Sequence, residues 1–156
     1  MAKTTIVLCL MGIFCMRSVQ PNPVRTHKLL SKSELHEIAT SCLEEVQLSG
    51  SIVYNILKTE IFPRDNNKYR DFLACSYKKQ GFLSEDGTKL LYDNLFHFIS
   101  HFYGPTEVQA LKHCNLIRRE DPGFLCFDTM KCIIDALKQL EFDANADIGI
   151  ETNQVV

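Results

Sequence analysis

Between residues 31 and 141 apolar residues recur at steps of three or four, the spacing that lines one face of an α-helix, and the polar residues between these runs supply starts and stops. Ser31-Lys32-Ser33-Glu34 is a capping box, in which Ser31 and Glu34 satisfy each other's free backbone donors. Leu35, Ile38, Cys42 and Val46 follow at helical spacing and predict a first helix over about 32–48. Gly50 and Ser51 interrupt, and a short apolar segment through Val53, Ile56 and Leu57 ends at Phe62-Pro63, because the residue before a proline is pushed out of the helical region. Asp65-Asn66-Asn67 can cap a third helix carrying Tyr69, Phe72, Leu73 and Ser76, which stops near Gly81. Ser84-Glu85-Asp86-Gly87 reads as a turn.

The clearest stripe is Leu91, Leu95, Phe98 and Phe102, spaced by four, three and four, which predicts a fourth helix with all four residues on one face. Gly104-Pro105 closes it and opens a fifth, marked by Val108, Leu111 and Cys114, whose end Arg118 and Arg119 favour through the helix dipole. Asp121-Pro122 supplies a cap and a first-turn proline for a sixth helix with Phe127, Met130, Ile134 and Leu137 on one face. After Glu141 the pattern dissolves into an acidic and apolar tail over 142–156. The expected fold is all-α, with about six short helices.

The chain start differs in kind. Lys3 precedes an apolar stretch from Ile6 to Met16, too short to span a bilayer but matched to the core of a signal peptide, and Arg17, Ser18 and Pro21-Asn22-Pro23 end it. A cut near Ser18 leaves a helical domain over 19–141 and the tail, and by removing Lys3 and Arg17 takes the formal charge from −2 to −4. The product is secreted and extracellular, without stable membrane insertion. Lacking a basic excess or a run of like charge, it offers nothing with which to neutralise phosphates, so no nucleic-acid partner is expected. Ten Phe and an apolar fraction of 46% exclude disorder.

Export gives the cysteines their meaning. Of seven, Cys9 and Cys15 leave with the signal peptide, and Cys42, Cys75, Cys114, Cys126 and Cys132 meet an oxidising compartment. They fall within predicted helices and would join helix to helix. One of five must stay unpaired, and counting leaves five choices of the odd residue and three pairings of the rest. Cys126 and Cys132 stand roughly 120° apart around one helix and do not easily share a partner.

A secreted, acidic, six-helix chain with interhelical cysteines resembles the insect pheromone-binding and general-odorant-binding proteins. Tyr69-Arg70-Asp71-Phe72-Leu73-Ala74-Cys75, followed by Gly81-Phe82-Leu83 and Asp86-Gly87, is similar to the family's third-helix motif, in which two cysteines precede a glycine and an Asp-Gly turn; Asp71 stands where the first of the pair would be. Eight residues separate Cys114 from Gly123 and another eight separate Gly123 from Cys132, the family's spacing with Gly123 in its fifth cysteine position. Both partners of one family bridge are thus missing together, as in the reduced-cysteine (minus-C) branch. The resemblance implies Cys42–Cys75 and Cys114–Cys132 bridges, with Cys126 left over, and it covers about residues 32–141.

No G-x-S-x-G, phosphate-cradling G-x-x-x-x-G-K or H-E-x-x-H occurs, nor the Cys-Cys-x-x-His-Asp of secreted phospholipases, and no enzymatic activity or cofactor is expected. His97 and His101 are four apart but supply only two ligands, so no metal site is expected. No positive neighbour in sequence activates Cys126.

Periodicity alone reads the aromatic and thioether stripes as a packed core. The resemblance implies instead an apolar ligand pocket between the helices, and so a carrier that reversibly binds a small hydrophobic ligand, an odorant, pheromone or other lipophile, and delivers it. By analogy with pocket positions counted from the cysteines, Tyr77, Leu111 and Ile133 would line it, joined by Leu95, Phe98, Phe127, Met130 and Leu137 from the stripes. Tyr54 and Tyr77 can present a hydroxyl to a ligand. The partners expected are the ligand and a chemosensory receptor, with the carrier a monomer or weak dimer. The alternative is a secreted helical signalling protein acting on a receptor, for which a solid core and an exposed apolar patch would speak. His36, His97, His101 and His113 gain charge in the range that could release a ligand, and protonation of Asp143, Asp147 and Glu151 would make the tail apolar enough to enter a pocket.

Overall fold

The computed structural model describes residues 29–150 of the protein, with side chains as far as Asp143. The expected signal peptide lies outside the described residues. Six α-helices and one 3-10 helix follow in order: α1 (Lys32–Glu45), α2 (Gly50–Thr59), α3 (Asn67–Lys79), α4 (Tyr92–Ile99), α5 (Pro105–Ala110), the 3-10 helix (Leu111–Leu116) and α6 (Pro122–Ile150). The only β pairing among the described residues is a single antiparallel bridge, Leu83 to Leu90. The all-α expectation holds.

The helix starts sit where side chains can serve free N–H groups. Ser31 accepts from the Glu34 amide while the Glu34 carboxylate takes the Ser31 amide at 2.7 Å, completing the capping box. Ser49 caps α2, so Gly50 opens that helix instead of interrupting. Asn66 Oδ1 accepts from Tyr69 N–H, and Asp121 Oδ1 accepts from Phe124 N–H at 2.7 Å ahead of Pro122. The turn at residues 84–87 is tied by Asp86, whose Oδ1 accepts from Ser84 Oγ, Thr88 N and Thr88 Oγ1. These bonds, Ser84's first, push its carboxyl down to about 2. Gly87 closes the turn at φ +74°.

Three expectations change. The fourth helix is shorter than its stripe: Leu91 is its half-exposed N-cap and Phe102 lies beyond its end. The Leu83–Leu90 bridge holds the chain extended up to Leu90, and tight bonds from His101 N to Phe98 O and from Phe102 N to Ile99 O close the last turn. The fifth helix is two elements, changing to 3-10 geometry at Leu111, where the His113 ring takes the Ala110 carbonyl at 2.8 Å. The sixth helix does not end at Glu141 but runs on to Ile150. No proline occurs in that stretch, which contains Ala144 and Ala146, both strong helix formers.

Two disulfides brace the bundle. Cys42–Cys75 ties α1 to α3 and Cys114–Cys132 ties the 3-10 helix to α6, while buried Cys126 stays a free thiol. The long α6 packs on α3 and the 3-10 helix, and α1 packs on α3. Between them lies one apolar core with Tyr69, Phe72, Leu73, Tyr77, Leu95, Ile99, Leu111, Met130 and Ile133 almost wholly buried. No helix among the described residues is long and apolar enough to cross a membrane.

Candidate functional site: a polar-tipped apolar interior

All eight residues assigned to the pocket are buried: Tyr77, Leu95, Leu111, Met130 and Ile133 completely, Phe98, Phe127 and Leu137 nearly so. They belong to one packed cluster. Aromatic contacts link several of them. Tyr77 meets Phe82 edge to face at 5.8 Å, Phe82 meets Phe98 at 5.3 Å, and Phe98 meets Phe102 at 5.3 Å. On the other side Tyr69 stands edge-on to Phe127 at 6.2 Å and points its hydroxyl at the Met130 sulfur, 3.8 Å away. Tyr54, in contrast, is exposed and takes no part.

The interior is not uniformly apolar. Tyr92 Oη donates to the Cys114 carbonyl at 3.2 Å and lies 3.4 Å from Thr129 Oγ1, itself fully buried. The Tyr77 hydroxyl has no hydrogen-bond partner despite complete burial. Burial pushes its ionisation far up, and nearby Cys126, Tyr69 and Tyr92 add to the effect. Burial likewise raises Tyr69 and Cys126, the latter helped by Asp121. These groups stay neutral at any physiological pH, so the Cys126 thiol is not a poised nucleophile.

Next to this interior, where the turn after α3 faces α4, lies a small cavity of about 80 Å³. Leu29, Leu30, Phe82 and Phe98 give it apolar walls, and Gln80, Asn94 and His97 give it polar ones. Asn94 is engaged with the Gly81 carbonyl at 2.7 Å. Gln80 uses its amide nitrogen on Ser76 Oγ at 2.8 Å and leaves its buried carbonyl oxygen without a partner. His97 and His101 stack edge to face at 4.9 Å, and His101 Nδ1 sits on the His97 carbonyl, so their rings address each other and the backbone.

Of the eight residues, only Phe98 lines this cavity. Gln80, Asn94, Leu29 and Leu30 escape sequence reasoning because they stand outside every stripe. His113 Nε2 lies 3.4 Å from the Cys132 sulfur and 3.6 Å from that of Cys114, a cluster of metal-ligating atoms. The two sulfurs are bonded to each other, however, and a disulfide is not a thiolate ligand.

The site is thus a disulfide-braced helical bundle whose apolar interior carries a few buried neutral hydroxyls. A model of the PBP/GOBP family matches residues 26–136, and the chain belongs to that family of small odorant- and pheromone-binding carriers. Neither the curated proteins nor the solved structures contain a significant match to the chain.

Proposed function

We propose that the protein is an extracellular carrier whose preferred ligand is a small, mostly apolar molecule bearing one hydroxyl group. The observation that carries this reading is a pair of buried, unpartnered atoms of opposite kind: the Tyr77 hydroxyl, a donor, and the Gln80 carbonyl oxygen, an acceptor. A buried polar group without a partner costs roughly 1–3 kcal/mol. A ligand alcohol, which both donates and accepts, could relieve either cost, whereas an alkane relieves neither. The rest of the affinity would come from burying apolar ligand surface, at about 25 cal/mol per Å² before ordering costs.

The cavity, at about 80 Å³, is well below the 300–1,000 Å³ typical of small-molecule sites. Ligand entry would therefore widen it, the aromatic chain Tyr77–Phe82–Phe98 parting so that Leu95, Leu111, Phe127, Met130, Ile133 and Leu137 become the wall. Residues 1–18 would direct export, the segment from 142 onward would respond to ligand or pH, and a chemosensory receptor would be the recipient.

The test is native mass spectrometry of protein taken from its source, followed by displacement of a fluorescent apolar probe with an alcohol, its methyl ether and the alkane of equal chain length. The alcohol should displace at a concentration at least tenfold lower than the alkane. Equal potency of all three would remove the polar anchors from the argument.

A further inference from the structure

A second recess, a cleft of about 370 Å³, is lined by Thr88, Lys89, Leu90, Tyr92, Ile117, Arg118, Arg119 and Leu125. It shares no lining residue with the small cavity beside Phe98. Its size falls within the usual range of small-molecule sites. Both walls are fixed. Residues 88–90 are held by Asp86 and by the bridge to Leu83, and the turn at Gly87 sits against the Pro122 ring of α6. Residues 117–119 leave the 3-10 helix that Cys114–Cys132 fastens to α6.

The chemistry of the lining is one-sided. Leu90 and Leu125 are buried and form an apolar floor with half-buried Tyr92 and Ile117, while the exposed Lys89, Arg118 and Arg119 are the only charged side chains in the lining. All three are positive, in a chain whose formal charge is −2. Arg119 reaches Asp128 at 2.6 Å, but that carboxylate is shared with Arg64 at 3.5 Å. Arg118 is held on the carbonyls of Asn115 and Ile117 and forms no ion pair among the described residues, while Lys89 is opposed only by the exposed Asp86 carboxylate of the neighbouring turn. Backbone carbonyls position that guanidinium without neutralising it.

We infer that this cleft is a second binding site, for a single-chain anionic amphiphile: a long-chain carboxylate whose head lies between Lys89 and Arg118 and whose alkyl chain covers Leu90, Tyr92, Ile117 and Leu125. The interior cavity is lined by neither Lys nor Arg, so it lacks a permanent positive charge to balance a carboxylate, and a buried unpaired charge is strongly unfavourable. The rim of the cleft supplies that balance in water. The protein would thus sort ligands by head group, alcohols to the interior and acids to the cleft.

The experiment uses the mature full chain and two probes, dodecanoate and 1-dodecanol, below the aggregation concentration of either, with stoichiometry and affinity from calorimetry at pH 8. Dodecanoate should bind alone and together with dodecanol, and its affinity should fall severalfold as salt rises from 20 to about 200 mM, while that of dodecanol stays level. Lys89→Glu with Arg118→Glu, both at exposed positions, should weaken dodecanoate at least tenfold and leave dodecanol unchanged, with circular dichroism reporting an intact fold. Strict competition between the two probes, or an unaltered dodecanoate affinity in the double variant, overturns the second site. So does binding only to vesicles containing an anionic phospholipid, which would make the cleft a membrane contact. Failure of dodecanol to bind anywhere would count against the interior alcohol site alone, because the dodecanoate readouts do not depend on it.

Discussion

A β-carbon placed on Gly123 would lie 2.9 Å from the Arg70 β-carbon and 3.2 Å from the Arg70 carbonyl carbon. The start of α6 therefore touches the body of α3 through bare backbone, and Arg70 wraps the contact by laying its guanidinium 3.8 Å from the centre of the Phe124 ring. In Gly123→Ala the atoms to be pushed aside are the stem and backbone of Arg70 and, at 3.1 Å, the Asp121 Oδ1 that caps the helix. We expect it to destabilise the protein by about 1–3 kcal/mol, the usual cost of overpacking. Chemical denaturation with an unchanged slope would show it; a neutral result would mean that α6 shifts freely.

Gly123 thus packs on the residue that precedes Asp71 in sequence, and Asp71 and Gly123 are the two positions at which the family resemblance expects a bridge. Asp71→Cys with Gly123→Cys should form a disulfide on oxidation, giving no more free thiol than the parent chain. Because the cysteine at 123 must first force the helices apart, the net gain should fall short of the roughly 2–4 kcal/mol of an unstrained bridge. Two unpaired thiols after oxidation would show that these positions do not face each other.

Cys126 is buried and its thiol is pushed up by desolvation, whereas Cys42–Cys75 and Cys114–Cys132 are bonded. In the native mature protein at pH 8 an alkylating agent should leave Cys126 unmodified, and in denaturant exactly one thiol per chain should react. Opening Cys114–Cys132 by a double Ser replacement should cost about 2–4 kcal/mol and lower Tm accordingly. Native labelling of Cys126 would place it at the surface instead.

Tyr77→Phe removes a hydroxyl that is buried and unpartnered. Stability should rise, or at least not fall, by up to about 1–3 kcal/mol, because the variant no longer strips that group of water. Affinity for an alcohol should fall at the same time. Opposite signs in the two measurements are the signature of a group kept for its ligand; a loss of stability would mark the hydroxyl as structural.

His97 lines the small cavity and stacks on His101. Replacing both rings, His97→Gln with His101→Gln, should weaken binding of an apolar probe severalfold at fixed pH, because one wall of the cavity and the ring stacked on it are lost together. An unchanged affinity would place the ligand away from this cavity.

Much of this architecture was legible in local chemistry. Ser31 with Glu34, Asn66, and Asp121 before Pro122 mark helix starts because capping is a bond between neighbours in sequence. The two bridges were accessible through family resemblance, since counting leaves many pairings open. The stripe from Leu91 to Phe102 misled at both ends for a tertiary reason: Leu90 pairs with Leu83, and no helical period registers that. The loss of periodicity after Glu141 suggested a tail, yet no proline stands there and the one glycine, Gly149, comes only at the helix end. Gln80 was invisible because its importance is a missing hydrogen bond, a property of its surroundings and not of its spacing.

The bridge at Cys132 divides α6 unequally. About 15 Å of helix runs back from it to Pro122 and about 27 Å runs on to Ile150, at 1.5 Å per residue. With the short arm pressed against α3 and the pin about a third of the way along, the helix has the proportions of a lever. A tilt that moves the Pro122 end by one ångström displaces the Ile150 end by nearly two. Strain introduced where α6 meets Arg70 would thus be read out, magnified, at the far end of the same helix.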